Sequence, residues 1–190
     1  MKKIFLLVLM LAVSSVSFAQ KKKPTAKPAA AKSSSTLTKV DNISAELVKG
    51  DFYIAIGGTK DTIQLKKISD KAIVSDCKIT SFKAGTNPLY LVSWIEKSVN
   101  KTDLKTEEIT ETCATIFDAT SKTKALHNVQ KNTKITEKVF LDKLKTASET
   151  QEKMRREGFE FSLNPDGSIL LKNKGRETKM VYNATEKKYK

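Results

Sequence analysis

The chain has 190 residues, with 35 Lys plus Arg against 21 Asp plus Glu and a formal net charge of +14. At 39% apolar residues it is too apolar for a wholly disordered chain, and two Cys cannot make a disulfide-dense scaffold. Seven Gly and four Pro exclude a fibrous repeat, and the length excludes several large domains.

Lys2 and Lys3 precede an unbroken apolar run over residues 4–13, and a polar stretch then ends in Ser17-Phe18-Ala19 before Gln20. A basic start, a short apolar run and small residues three and one before a cut are the anatomy of a secretory signal peptide. Residues 1–19 are therefore expected to leave by cleavage between Ala19 and Gln20. As a helix the ten apolar residues span ~15 Å, about half a hydrocarbon core, which argues against a membrane anchor. No later run is long enough for a spanning helix. The expectation is a periplasmic or secreted protein with no transmembrane helix in its mature form.

The charge is unevenly spread. Residues 20–40 hold six Lys and no acid, residues 172–190 hold seven cations and two acids, and residues 41–171 hold 20 cations and 19 acids. The basic segment over 20–40 lacks a large apolar residue until Leu37, and Pro24 and Pro28 disfavour helix, so it reads as a disordered Lys/Pro/Ala/Ser-rich tether. Lys21, Lys22, Lys23, Lys27 and Lys32 are its candidate contacts to an anionic envelope polymer or lipid surface. Only three of the 35 cations are Arg (Arg155, Arg156 and Arg176), whereas shaped phosphate recognition favours Arg. Together with the export signal, this argues against a nucleic-acid partner.

Residues 41–190 read as a single, mainly β domain. Residues 43–48, 52–56 and 62–66 alternate and are joined by short Gly-containing turns, as hairpins are. Residues 72–82 continue the alternation, and residues 89–95 are apolar on both faces, as in a central strand. Over residues 107–118, Ile109, Cys113 and Phe117 line up as either strand or helix, and the density of Thr tips the choice to strand. Residues 125–130 suggest another short strand. Phe140, Leu144, Ala147, Gln151 and Met154 recur at helical spacing, with Thr136 as a cap and Gly158 as a stop, so a late α-helix is predicted over about 136–157. A β-meander follows, turning at Asn164-Pro165-Asp166-Gly167 and again at Asn173-Lys174-Gly175. The predicted fold is an antiparallel β-sandwich or partly open barrel with one helix.

Chemistry-bearing residues are few. Cys77 and Cys113, in an exported body, suggest a disulfide. His127 is the only imidazole, no Gly-x-Ser-x-Gly turn is present, and close zinc-ligand spacings are missing, so no cofactor is expected. Asp103, Glu107, Glu108 and Glu111 are the densest group of acids, but paired-carboxylate hydrolysis also requires converging geometry. Gly57-Gly58-Thr59-Lys60 and Asp166-Gly167-Ser168 resemble phosphate and calcium loops only superficially, and both read as turns. The leading expectation is a non-enzymatic module that binds or scaffolds in the cell envelope, with another exported protein as a further candidate partner. The alternatives are a small secreted hydrolase using carboxylates near 107–111, or an inhibitor of an envelope-degrading enzyme.

Overall fold

Where apolar and polar residues alternate, the backbone pairs. A computed structural model describes residues 35–58 and 61–190, and every regular element among them is a β-strand. β1 (Ser35–Val40), β2 (Ile43–Val48), β3 (Asp51–Ile56) and β4 (Asp61–Lys67) form an antiparallel sheet in that order. Val48 pairs with Asp51 across Lys49 and Gly50, both at positive φ (51° and 87°), the backbone that a two-residue hairpin turn requires.

The largest sheet is a five-stranded antiparallel meander: β5 (Ile73–Ala84), β6 (Asn87–Lys101), β7 (Lys105–Asp118), β8 (Thr123–Phe140) and β9 (Ser148–Gly158). β10 (Glu160–Leu163), β11 (Ile169–Asn173) and β12 (Arg176–Met180) form a third sheet, and β13 (Tyr182–Asn183) pairs with β14 (Lys188–Tyr189).

The two faces of the five-stranded sheet carry different cores. Val92 and Trp94 of β6, with Cys113 and Phe117 of β7, pack on Ile43, Phe52, Ile54, Ile63 and Leu65 of the first sheet. Phe52 meets Trp94 edge-on, with ring centroids 4.7 Å apart. One residue out of phase, Leu89 and Ile116 join Ala84, Ala125, Ile169 and Tyr189, with Phe161, Leu163 and Leu171 of the meander packed around them. Each large side chain so buried contributes about 1.5–3 kcal/mol of transfer free energy. Neither cluster reaches β9, nor the parts of β6 beyond Trp94, β7 before Cys113 and β8 beyond Val129. In that half of the sheet Thr133 and Ile135 of β8 are still buried, whereas all but one residue of β9 is exposed.

Three expectations need correction. The α-helix predicted over about 136–157 is absent: those residues end β8, turn, and return as β9, with Phe140 paired to Ser148 and Gln130 to Gly158. The tether expected over 20–40 yields its last six residues to the first sheet as β1, where Leu37 and Val40 pack against the core. The disulfide between Cys77 and Cys113 is also absent, and both thiols are free. They lie on β5 and β7 with β6 between them, and two strand spacings, about 10 Å, exceed the ~7 Å between Cα atoms that a disulfide can bridge.

The short strand expected over 125–130 is part of the 18-residue β8. Residues 107–118 are indeed strand, within β7. Residues 1–19, the Ala19/Gln20 junction, and Lys21, Lys22, Lys23, Lys27 and Lys32 lie outside the described residues. Among the described residues no helix is long and apolar enough to cross a membrane.

Candidate functional site

The chemistry-bearing side chains gather where β4 crosses β6 and β7. On β6, the alternation that turns Val92 and Trp94 inward also turns Glu96 inward, and it is 5% exposed. Glu96 pairs directly with Glu111 of β7, so two carboxylates stand opposite one another, a repulsive arrangement in a sheet. Lys66 of β4 resolves it. Its Nζ donates to both Glu96 oxygens at 3.1 Å and to Glu111 Oε2 at 2.7 Å. Trp94 Nε1 donates to Glu96 Oε1 at 2.8 Å, and the Cys113 thiol lies 3.6 Å from the same oxygen.

Electrostatics follows from this geometry. Burial alone pulls the Lys66 ammonium down, but hydrogen bonds to Glu111 and Glu96 outweigh it and hold its pKa above the ordinary value. Burial pushes the Cys113 thiol up to about 12, with Glu96 adding to the effect, and burial alone raises Cys77 to about 11. Neither thiol supplies a thiolate at neutral pH, and protonated Lys66 is neither base nor nucleophile. The ligand atoms of Glu96, Glu111 and Cys113 lie within 4.8 Å of one another, which suits a metal ion in spacing. The Lys66 ammonium already supplies the positive charge there, and a protonated thiol is a poor metal ligand.

His127 is an exposed residue of β8. Its Nδ1 shares a hydrogen bond of 2.8 Å with Thr115 Oγ1, and its ring stacks 6.4 Å from Trp94. Partial burial, then Lys124 and Lys66, keep its pKa below the ordinary value, so the ring is neutral at pH 7.

The acids grouped in the sequence do not converge. Asp103 lies in the turn between β6 and β7, and Glu108 faces the opposite side of the sheet from Glu107 and Glu111. Glu107 pairs with Lys105 at 2.7 Å, which lowers its pKa. Only Glu111 enters the cluster, and its partners Glu96 and Lys66 lie 15 and 45 residues away in sequence. The legible sign was an acid at the inward parity of a Val92–Trp94 run.

Elsewhere, an open groove of about 420 Å³ runs between β10 and the second face of the large sheet, along Leu91, Thr112, Asn128, Gln130 and Phe161. Asn128 Nδ2 crosses it to donate to the Phe159 carbonyl at 2.8 Å.

Compared with protein-family models, curated proteins and solved structures, the chain finds no match.

Proposed function

We propose that this chain is an exported, non-enzymatic module that binds or scaffolds within the cell envelope. In this reading residues 1–19 are a cleaved leader, and the lysine-rich segment that follows is a tether to anionic polymer or lipid. The sheets are read as an open sandwich whose central layer outruns its covers. One observation carries the proposal. The titratable groups of the core are consumed by one another in the Lys66–Glu96–Glu111 cluster, while β9, the edge strand of the large sheet, is left in solvent at all but one residue. Such an arrangement spends its chemistry on holding the sheets together and its surface on contact.

The tether contributes attraction on the order of 1 kcal/mol for each Lys close to an anionic surface, and salt screens it. Since β1 begins at Ser35, the test must leave the first sheet whole. Replacing Lys21, Lys22, Lys23, Lys27 and Lys32 together by Gln is expected to abolish the salt-sensitive part of binding to purified envelope polymer. Cosedimentation at low and high salt reads it, and equal retention of parent and variant at low salt refutes the tether.

A further inference from the structure

We propose that the two loops at the far end of the central sheet, residues 102–104 and 141–147, form a preshaped tip that seats on an anionic lipid headgroup surface. This rests on the envelope reading above and supplies that reading with a contact made by the folded body.

The tip combines apolar exposure with positive charge. Leu104, Leu141 and Leu144 are 46%, 63% and 84% exposed, and Leu144 is the most exposed large apolar side chain among the described residues. Residues 101–105 and 138–147 together hold five Lys and two Asp. Lys105 is engaged by Glu107, whereas among the described residues Lys101, Lys138, Lys143 and Lys145 make no ion pair. Lys143 and Lys145 flank Leu144 directly, and Lys138 and Lys145 stand 5.6 and 5.5 Å from the centre of the Phe140 ring.

The two loops are tied together and held in shape. Lys138 N–H donates to the Leu104 carbonyl at 2.8 Å, joining them. Within the longer loop, Leu141 N–H donates to the Ala147 carbonyl at 3.0 Å. The Asp142 carboxylate accepts from Thr146 N–H at 2.8 Å and from the Thr146 hydroxyl. Asp142 is thus drawn back onto its own loop, which leaves Lys143, Leu144 and Lys145 at the front. A loop already in shape loses little conformational freedom on binding.

The pattern favours lipid over protein. Protein interfaces have contiguous apolar cores depleted of Lys. Here single Leu side chains are separated by Lys, an arrangement suited to a soft boundary in which apolar groups enter and ammonium groups stay at the headgroups.

The test uses the mature chain beginning at Gln20 and vesicles of equal parts phosphatidylglycerol and phosphatidylcholine, with pure phosphatidylcholine beside them. Leu141→Ser with Leu144→Ser, and separately Lys143→Gln with Lys145→Gln, are each expected to weaken binding to the anionic vesicles at least tenfold with an unchanged melting temperature. If the double Leu variant melts early, Leu144→Ser alone serves, since that side chain is almost wholly in solvent. Leu144→Trp is expected to blue-shift its emission on anionic vesicles and not on neutral ones. Tip variants that bind as the parent does overturn the inference. If the tether-lysine variant loses binding at the same time, the envelope reading survives without the tip. Equal binding of the parent to neutral vesicles, or tip-dependent binding only to a protease-sensitive envelope fraction, also overturns it.

Discussion

Lys66 lies on the edge strand of its sheet, yet it joins that sheet to β6 and β7 of the larger one. Glu96 is nearly sealed from solvent, and Glu111 stands directly opposite it. Removing the ammonium leaves two carboxylates facing each other, with only Trp94 Nε1 and a weak thiol donor for Glu96. Breaking a buried ion pair from one side costs about 3–5 kcal/mol. Lys66 retains 29% side-chain exposure, so Lys66→Met is expected to fall near the bottom of that range, about 3 kcal/mol. Adding Glu96→Gln and Glu111→Gln to Lys66→Met should recover most of the loss, because no charge is then stranded. Urea unfolding of the single and triple variants measures both, and a Lys66→Met protein as stable as the parent would sink the account.

At the scale of elements, β9 shows why one segment was misread. Its residues are solvated on both faces, so hydrophobic periodicity carries no information about its backbone. Charges placed four apart, Glu149 with Lys153 and Glu152 with Arg156, also suit one face of a helix. In the sheet Glu152 meets Lys134 across the strands at 3.1 Å, Lys153 meets Glu137, and Arg155 meets Glu157 two residues on. The same composition satisfies either backbone, and β8, alternating Thr133, Ile135 and Glu137 on one face, decides between them. By contrast, the hairpins through β4 and the turns of the final meander were legible, since one buried face and Gly-bearing turns specify both period and register. The candidate site was least legible, because Lys66, Glu96 and Glu111 meet only through register and sheet packing.

Gly158 likewise changes its meaning, from the stop of a helix to the close of a strand pair. It sits at φ +79°, and a Cβ there would lie 2.0 Å from the Val129 carbonyl oxygen, with rigid backbone on both sides. Gly158→Ala is expected to destabilise by about 3 kcal/mol, from left-handed strain and the forced separation of β8 from β9. Gly175 has a similar φ of +85° but open space around its Cβ position, so Gly175→Ala should cost only about 1 kcal/mol. Denaturant midpoints of the two variants give the comparison. Equal losses would mean that strain alone, without the steric contact, sets the cost.

For the molecule as a whole, six groups among the described residues have folded-state pKa values raised above their ordinary ones. Lys172, raised by its hydrogen bond to Glu177, faces solvent, and burial raises Tyr182. Burial pushes Cys77 to about 11 and Cys113 to about 12. Burial, with Tyr182 adding to it, pushes Tyr189 to about 12, and its hydroxyl donates to the Gly167 carbonyl at 2.8 Å. Lys66 is raised by its carboxylates against the pull of burial. A raised folded pKa means that, between the two values, the unfolded chain has released a proton which the folded chain keeps. Stability then falls as pH rises. The contribution is complete below the thiol's ordinary value of 9.0 and fades through the folded values near 12. On the acid side, Glu107, Glu137, Asp142 and Asp166 are lowered and face solvent, where salt screens them. Burial pulls Asp118 up, but hydrogen bonds from Ser121 and Thr120 outweigh it and lower its pKa, and burial lowers that of His127. Their stabilisation is present at neutral pH, is lost as pH falls, and is small. The fold is therefore expected to tolerate moderate acid better than moderate base. Melting temperatures taken with reductant present should be level from about pH 7 to 8 and decline steadily above about pH 9. A melting temperature still level at pH 11 would mean that these groups are not sealed in the folded state, and that the Lys66 cluster, Cys113 among them, is open to water.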